Sequence, residues 1–237
     1  MEACQRNPRL YTVKADYTEL SQVKDMCVEI DMIMDREGYS SMNVLINNAG
    51  VFTDTYHVTR DGYEQTYQTN VLASHIITSL LWNRVSERII NIASISSCSS
   101  SIRQPADISS RYRDLGGTTS QYSGHRAYSD SKLLNIIQTM LQDASKPSTA
   151  PTINCLDPGT VNTKMLHAGW GPIGIKVSEA NDQTYLATSM DPVVTQSSGT
   201  YFVGGRVSRP PAASMDPEIQ RLCHDMLTHH TGLPLFV

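Results

Sequence analysis

Three residues of this 237-residue chain carry side chains that could move a proton together: Ser94, Tyr128 and Lys132. Tyr128 and Lys132 lie four positions apart, and residues at i and i+4 share one face of a helix. A free phenol has a pKa of about 10, and a nearby positive charge favours its ionised form. Tyr128 is therefore a candidate general acid or base, and the Ser94 hydroxyl could hydrogen-bond the oxygen that gains or loses the proton.

Strand-like and helix-like segments alternate around these residues, which favours an α/β fold. Ser94 follows a buried apolar run at Arg88–Ala93, and Tyr128 begins a helix-like segment that continues to Ala144. In an α/β sheet the carboxyl ends of the strands and the adjoining helix starts meet at one crevice. The sequence therefore predicts that Ser94, Tyr128 and Lys132 meet there.

The same apolar patterns predict the remaining elements. We expect strands at Leu10–Ala15, Val44–Ile46, Thr152–Leu156 and Tyr201–Val203, and helices at Glu19–Arg36, Asp61–Trp82 (with Thr59 as cap), Ser178–Ser189 and Pro217–Leu227. Residues 95–126 show no sustained periodicity and are predicted to be a long loop, which in a compact domain is usually functional or mobile. Without an internal repeat or a linker, residues 1–237 are predicted to form a single domain.

Five motifs in a fixed order give the chain its resemblance to a known family. They are Asn47-Asn48-Ala49-Gly50 after a strand, Asn70 in the next helix, Ser94 after a strand, Tyr128-Ser-Asp-Ser-Lys132 at a helix start, and Pro158-Gly-Thr-Val-Asn-Thr163 after a strand. Together they resemble the short-chain dehydrogenase/reductase family of nicotinamide-dependent oxidoreductases. The resemblance covers the chain from Leu10 onward and implies a Rossmann-type parallel sheet with helices on both faces.

The resemblance implies a catalytic role for each matching residue. Tyr128 would be the general acid/base, and Lys132 would lower its pKa and hold the nicotinamide ribose. Ser94 would orient the substrate oxygen, and Asn70 would support a proton relay through water. An NAD or NADP cofactor would supply the hydride, while the protein supplies position and electrostatics.

The resemblance also implies cofactor contacts at both ends of the dinucleotide. Toward adenosine they are Asn48, Ala49, Gly50 and Asp16, and toward the nicotinamide carboxamide they are the Val161 backbone and the Thr163 hydroxyl, in the turn of Pro158 and Gly159. Gly50 would permit close backbone approach. Two alternatives stay open: Asn48–Gly50 as a simple turn, and Asp16 as a helix cap or a solvated carboxylate.

The long interval between Ser94 and Tyr128 is similar to that of retinol-dehydrogenase-like members of the family. This branch implies a small lipophilic alcohol or carbonyl substrate of the retinol or polyprenol kind. A group of largely apolar residues could line its pocket, although local packing explains them equally well: Met165, Leu166, Trp170, Ile173 and Ile175.

One part of the family pattern is absent from the sequence. The family opens with a strand and a T-G-x-x-x-G-I-G turn that cradles the pyrophosphate at a helix N-terminus, whereas Gly38 is the only glycine before Gly50. We therefore expect an N-terminally incomplete domain that lacks the first two strands and the glycine-rich phosphate loop. The Val44 strand would then have an exposed edge, and the chain would bind dinucleotide weakly, show little turnover and tend to aggregate.

This departure keeps a second function open, that of a truncated, catalytically silent scaffold acting through protein contacts. Two other patterns do not indicate a site. Gly169–Gly174 satisfies G-x-G-x-x-G, but no strand is predicted before it, and Pro172 removes an amide that phosphates would need. A cluster of potential metal ligands lies around several faces of a helix end, so no metal site is predicted: Cys223, His224, Asp225, His229 and His230.

Composition and charge limit the kinds of binding partner and the cellular compartment that the sequence favours. The net charge is −4 and no basic block occurs, which excludes an electrostatic nucleic-acid footprint. Five scattered cysteines favour a reducing compartment over a disulfide framework. No segment resembles a signal peptide or a membrane span. A cytoplasmic chain is predicted, while a longer form facing the endoplasmic reticulum or lipid droplets, and a homodimer, stay open.

Overall fold

The apolar runs of the chain form a five-stranded sheet in the computed structural model, which describes residues 10–111 and 122–236. The strands are β1 (Met42–Asn47), β2 (Val85–Ile92), β3 (Thr152–Asp157), β4 (Tyr201–Val203) and β5 (Arg206–Val207). They lie in the order β1-β2-β3-β4-β5; β1 to β4 are parallel, and β5 is antiparallel to β4. The predicted α/β class with a mostly parallel sheet is confirmed.

Helices connect these strands and cover the sheet. The α-helices are α1 (Leu20–Glu37), α2 (Gln65–Tyr67), α3 (Ala73–Leu81), α4 (Pro105–Arg111), α5 (Gly124–Ser145), α6 (Lys164–Gly169), α7 (Asp182–Thr188), α8 (Pro192–Thr195) and α9 (Pro217–Thr231). A π-helical turn (Gln68–Leu72) joins α2 to α3, and 3-10 turns lie at Trp82–Arg84, Ile95–Ser99, Val177–Glu179 and Ala212–Met215. None of the described helices is long and apolar enough to cross a bilayer.

Both faces of the sheet are buried, because successive residues of a strand point to opposite faces. On one face Cys155 and Tyr201 pack against Ile136 of α5. On the other face Leu156 and Phe202 pack with side chains of α7 and α8. Burial on both faces explains why the central strands are almost continuously apolar in sequence.

The segment Leu10–Ala15 is not a strand, so that prediction is wrong. The segment runs beside α1, with Tyr11 at Glu37 near the end of the helix and the Asp16 amide donating to Gln22 near its start. A strand exists only through hydrogen bonds to a neighbouring strand. Within the described residues β1 pairs with β2 alone, so no sheet edge reaches Leu10–Ala15.

The helix predicted at Asp61–Trp82 begins later, at Gln65. Its cap is Glu64, whose carboxylate accepts hydrogen bonds from the Thr66 and Tyr67 amides at 2.8 and 2.7 Å. Asp61 instead accepts from the Leu20 amide and from Gln68, both at 2.8 Å. These contacts make residues 59–63 a separate turn, which the apolar pattern alone could not distinguish from a first helical turn.

Short elements account for most other differences from the prediction. The predicted loop at 95–126 contains a 3-10 turn and α4, and residues 112–121 lie outside the described part of the chain. The elements α6, α8 and β5 were not predicted, since each spans six residues or fewer. Helix α9 extends to Thr231 rather than Leu227.

Candidate active site

Ser94, Tyr128 and Lys132 converge at the carboxyl end of β2. Lys132 lies on α5, and its ammonium donates to the carbonyl of Ile92, the last residue of β2, at 2.8 Å. The same ammonium lies 5.4 Å from the centre of the Tyr128 ring, and Ser94 is a side-chain hydrogen-bond partner of Tyr128. The structure therefore brings together the three side chains that the sequence places at one crevice.

Burial is the main influence on the Tyr128 phenol, which is only 8% exposed. Burial raises its pKa to about 12, the hydrogen bond with Ser94 opposes this rise, and the charge of Asp157 adds to it. The lowering contribution to this pKa therefore comes from the Ser94 hydrogen bond rather than, as expected, from Lys132. Near neutral pH the phenol is therefore protonated and available as an acid.

Lys132 is also buried, and the same desolvation acts on it in the opposite direction. Burial lowers the pKa of its ammonium to about 8, and the nearby charge of Asp157 opposes the shift. Desolvation disfavours the charged form of either group, so the tyrosine becomes a weaker acid and the lysine a weaker base.

Asp157 is a residue of this site that none of the five sequence motifs includes. It is the last residue of β3 and is buried. Burial raises the pKa of its carboxyl, while the amides of Ile95 and Gly159 and the charge of Lys132 lower it. A signal was available, because a carboxylate directly after a buried parallel strand lies at the edge where ligands bind.

Asn70 lies beside the three residues and ties the Asn47–Gly50 turn to α5. Its side-chain oxygen accepts from the Val51 amide at 2.8 Å, and its side-chain nitrogen donates to the Val51 carbonyl and to the Ser131 hydroxyl, each at 3.0 Å. The residue lies in the π-helical turn. Its side chain is thus engaged in positioning the loop after β1, and its part in a proton relay stays a prediction.

The expected nicotinamide-side turn packs against the same region. Gly159 has a φ of +75°, and the Thr163 hydroxyl caps α6 by accepting from the Leu166 amide at 3.2 Å. Val161 forms a bridge with Ile175. Helix α6, which follows the Pro158–Thr163 turn, reaches Gly50, because a Cβ at Gly50 would lie 3.6 Å from the terminal methyl of Met165.

Two aromatic rings pack against the ring of Tyr128. The Trp170 ring lies 5.4 Å from that of Tyr128, and Phe52 lies 6.1 Å from Tyr128 and 5.0 Å from Trp170. His125 contacts both Phe52 and Trp170, and its Nε2 hydrogen-bonds the Gly169 carbonyl at 2.9 Å. Trp170 was among the predicted pocket residues, whereas Phe52 and His125 were missed because they belong to no periodic pattern.

The other predicted pocket residues divide into two groups. Met165 reaches Gly50, and Leu166 is partly buried on α6. Ile173 and Ile175 are 67% and 46% exposed, so they do not enclose the phenol. The structure therefore favours a pocket wall made of Trp170, Phe52 and His125 rather than of the whole 165–175 segment.

A cavity of about 250 Å³ lies between α1, α3 and the free edge of β1. Asn48 and Ala49 line it, together with Tyr17, the neighbour of Asp16. Two oxygens of lining residues, Asn47 Oδ1 and Thr69 Oγ1, are buried without a hydrogen-bond partner among the described residues. The cavity thus joins the two regions predicted to contact adenosine.

Asp16 itself makes a local turn. Its carboxylate accepts from the amide and hydroxyl of Thr18 at 2.9 and 2.7 Å, and these bonds lower its pKa. Asp16 is exposed, and α1 begins at Leu20 with Glu19 at its cap position, so the geometry matches the solvated-carboxylate alternative rather than a helix cap. A contact of Asp16 with adenine stays a prediction.

Residues 10–41 contain no glycine-rich turn: Gly38, with a φ of +75°, ends α1. The Gly169–Gly174 sequence follows α6 rather than a strand, and a Cβ at Gly174 would lie 2.5 Å from the Thr160 carbonyl oxygen, so close packing explains this glycine. Described residues form no cluster of metal ligands, and His230 hydrogen-bonds the Tyr67 hydroxyl at 2.9 Å.

Comparisons with known proteins show similarity in sequence to short-chain dehydrogenases. Residues 1–111 match the family model "short chain dehydrogenase". Retinol dehydrogenases 13 and 14 of Homo sapiens are 28% and 30% identical over 88% and 92% of the chain. The chain spans 66% of the length of each of these relatives.

Solved structures share the fold at lower identity. A putative uncharacterized protein from Mycobacterium Paratuberculosis aligns with a TM-score of 0.71 at 22% identity, covering 100% of this chain and 81% of its own. An NADPH-bound carbonyl reductase from chicken fatty liver aligns with a TM-score of 0.64 at 20% identity, covering 87% of this chain and 80% of its own.

Proposed function

Because this chain is related to the short-chain dehydrogenases in sequence and shares their fold, we propose that it is an NAD- or NADP-dependent oxidoreductase that interconverts an alcohol and a carbonyl. The observation that carries the proposal is the convergence of Tyr128, Lys132 and Ser94 at the end of β2. A phenol, an ammonium and a hydroxyl at one strand end can hold a substrate oxygen and exchange a proton with it.

A bound nicotinamide dinucleotide supplies the hydride in reduction and accepts it in oxidation. In reduction, Tyr128 would give its phenolic proton to the substrate oxygen as that oxygen gains negative charge. Ser94 hydrogen-bonds the same oxygen, and the ammonium of Lys132 stabilises the phenolate that is left. In oxidation, Tyr128 takes the proton back.

The raised pKa of Tyr128 keeps the phenol in the protonated form that carbonyl reduction uses. At a pKa of about 12 the phenol holds its proton at neutral pH. Oxidation needs the phenolate, which burial disfavours until a positive charge or a bound ligand compensates. We therefore assign Tyr128 the role of a general acid first.

The described residues fit the two ends of a dinucleotide better than its centre. Lys132 and Thr163 would hold the nicotinamide side, and the cavity at Asn48 and Ala49 would take the adenosine side. The glycine-rich phosphate cradle of the family has no counterpart in residues 10–41. Weak binding of the pyrophosphate by this chain therefore stays our prediction.

The substrate is proposed to be a lipophilic alcohol or carbonyl. Its support is the aromatic wall of Phe52, His125 and Trp170 beside the phenol and the kinship with proteins named retinol dehydrogenases. Segments of the chain also resemble the X-chromosome dehydrogenase/reductase member of the family, a polyprenol dehydrogenase, so retinol- and polyprenol-type compounds are the first to test. Proximity to a membrane and a homodimer stay predictions.

The silent scaffold is the second candidate, favoured by the lack of a glycine-rich turn in residues 10–41. Thermal unfolding in the presence of NADH or NADPH separates the two functions, because a ligand that binds the folded state raises the melting temperature. Clear stabilisation below millimolar cofactor contradicts the scaffold.

The proposal is tested by Tyr128→Phe in an assay of carbonyl reduction with millimolar NADPH or NADH. Loss of a general acid lowers turnover by roughly 10² to 10⁴-fold, and the aromatic packing of the ring is kept. Tyr39→Phe is the matched control, since Tyr39 is half exposed and precedes β1, at the opposite end of the parallel strands from Tyr128. Retention of most activity in Tyr128→Phe contradicts the proposed mechanism.

A further inference from the structure

Asp130, between Tyr128 and Lys132 on α5, holds the far end of the loop that carries Ser94. Its Oδ1 accepts hydrogen bonds from the Ser100 hydroxyl at 2.7 Å, the Ser101 amide at 2.6 Å and the Ser101 hydroxyl at 2.9 Å. Its Oδ2 accepts from the Ser101 hydroxyl at 2.7 Å. The carboxylate is 1% exposed, so water does not compete for these bonds.

The serine loop is itself a connected unit from Ser94 to Ile102. The Ser97 amide donates to the Ser94 carbonyl at 3.0 Å, and the Ser100 amide donates to the Ser97 carbonyl at 3.1 Å. The Ser96 amide donates to the Ser94 hydroxyl at 3.2 Å, and the Ile102 amide donates to the Ser100 hydroxyl at 3.1 Å. A displacement at Ser100 is therefore transmitted through hydrogen bonds to Ser94.

The loop is held on two sides of the same helical turn. Residues two apart on an α-helix point about 200° from each other, so Asp130 and Tyr128 face opposite sides of α5. Ser94 meets Tyr128 on one side, and Ser100 and Ser101 meet Asp130 on the other. The loop therefore wraps around α5, and one turn of the helix fixes both of its ends.

We propose that Asp130 is a positioning residue that fixes the Ser94 hydroxyl against the Tyr128 phenol by holding Ser100 and Ser101. This inference rests on the proposed function for its effect on turnover. The hydrogen bonds from two serines to one buried carboxylate are charge-assisted, and such bonds are stronger than those between neutral groups. Asp130 thereby gives a structural reason for the serine-rich composition of the loop.

The test compares Asp130→Asn and Ser101→Ala with the unsubstituted chain by hydrogen–deuterium exchange and by kinetics. Exchange of the amides at 96–102 is expected to be about tenfold faster in both variants, because losing one charge-assisted bond frees the segment to open. Turnover (kcat) is expected to fall about tenfold with KM within a factor of two, since Ser94 acts on the reacting oxygen rather than on substrate affinity.

Asp216→Asn is the matched control. Asp216 caps α9 by accepting from the Glu218 and Ile219 amides, and asparagine is an equally good cap. We expect this variant to exchange at 96–102 and to turn over as the native chain does.

Each outcome bears on the inference separately from the proposed function. Native exchange rates at 96–102 in Asp130→Asn overturn the positioning role whatever the activity. If Asp130→Asn does not fold, Ser101→Ala decides by the same criterion. Full activity in Tyr128→Phe overturns the proposed function, while the exchange data still decide whether Asp130 holds the loop.

Discussion

The ammonium of Lys132 is buried in the candidate site, and its desolvation costs folding free energy. Its hydrogen bond to the Ile92 carbonyl at 2.8 Å satisfies one donor, but burial still lowers its pKa from 10.5 to about 8. A group whose pKa is lowered in this way binds its proton more weakly folded than unfolded. The charged form of Lys132 therefore destabilises the fold while preparing the site for a negative charge on the phenol.

Lys132→Met is expected to stabilise the protein near neutral pH. The unfolded chain binds the lysine proton up to about pH 10.5 and the folded chain only up to about pH 8, so native stability rises with pH between these values. Below pH 8 the charged lysine lowers the free energy of unfolding of the native chain by on the order of 3 kcal/mol. Lys132→Met removes this penalty but also loses the hydrogen bond to the Ile92 carbonyl. Thermal unfolding from pH 6 to 10 measures the net effect.

The Ile92 carbonyl keeps its bond from Asn135 at 3.2 Å in that variant, so this buried acceptor stays paired. Lys14→Met, at an exposed position, is the matched control and should leave the native pH curve in place. A Lys132→Met protein less stable than native at pH 7 would contradict this account.

Asp157→Asn is expected to shift the pH dependence of carbonyl reduction downward. The Asp157 charge raises the pKa of both Tyr128 and Lys132, so its removal lowers both values. Reduction needs the protonated forms of both groups, and its alkaline limit should move to lower pH. Profiles of kcat from pH 6 to 10 measure this limit, and an unchanged or upward-shifted limit would contradict the role given to Asp157.

Among the elements, those with a long apolar stripe or a buried run were predictable. Helices α1 and α5 and strands β1 to β4 lie close to the predicted positions, because one side or both sides of each face the core. The prediction of a strand at Leu10–Ala15 was wrong, since an apolar run shows only that a strand could form and not that a neighbouring strand is present to pair with it. The start of α2 failed because side-chain bonds of Asp61 and Glu64 decide it.

The chain end is held to α3 by contacts that no periodic pattern could reveal. His75 Nε2 donates to the Leu233 carbonyl at 3.2 Å, and the Ser79 hydroxyl donates to the carbonyls of Pro234 and Leu235. His75 is fully buried, and burial lowers its pKa to about 4. The imidazole is thus held neutral, with its proton on the nitrogen that faces Leu233.

Acid is expected to weaken this attachment. Between pH 6.5 and 4 the unfolded chain gains a proton on His75 and the folded chain does not, so stability falls by on the order of 3 kcal/mol as the pH drops. His75→Gln keeps a donor for the Leu233 carbonyl and removes the titration. Between pH 6.5 and 4 the melting temperature of His75→Gln should fall less than that of the native chain. An equal fall would show that His75 does not control the acid sensitivity.

For the whole molecule, the sequence located the reacting groups better than the surroundings that tune them. Tyr128, Lys132 and Ser94 could be paired from spacing and strand ends alone. Phe52 and His125 could not, because their packing beside Tyr128 depends on how loops distant in sequence fold. The pKa shifts of Tyr128 and Lys132 could not be predicted from spacing either, because burial is the largest cause of both shifts.

The central proposal is that this chain catalyses hydride transfer from a nicotinamide cofactor to a lipophilic carbonyl, with Tyr128 as the proton donor. The most direct measurement uses millimolar NADPH or NADH carrying deuterium at the transferable position, with retinal as substrate and mass spectrometry of the alcohol formed. We predict deuterium at the carbinol carbon with the native chain and at least 10²-fold less product with Tyr128→Phe. The absence of deuterated alcohol with the native chain, or equal amounts from both proteins, would contradict the account.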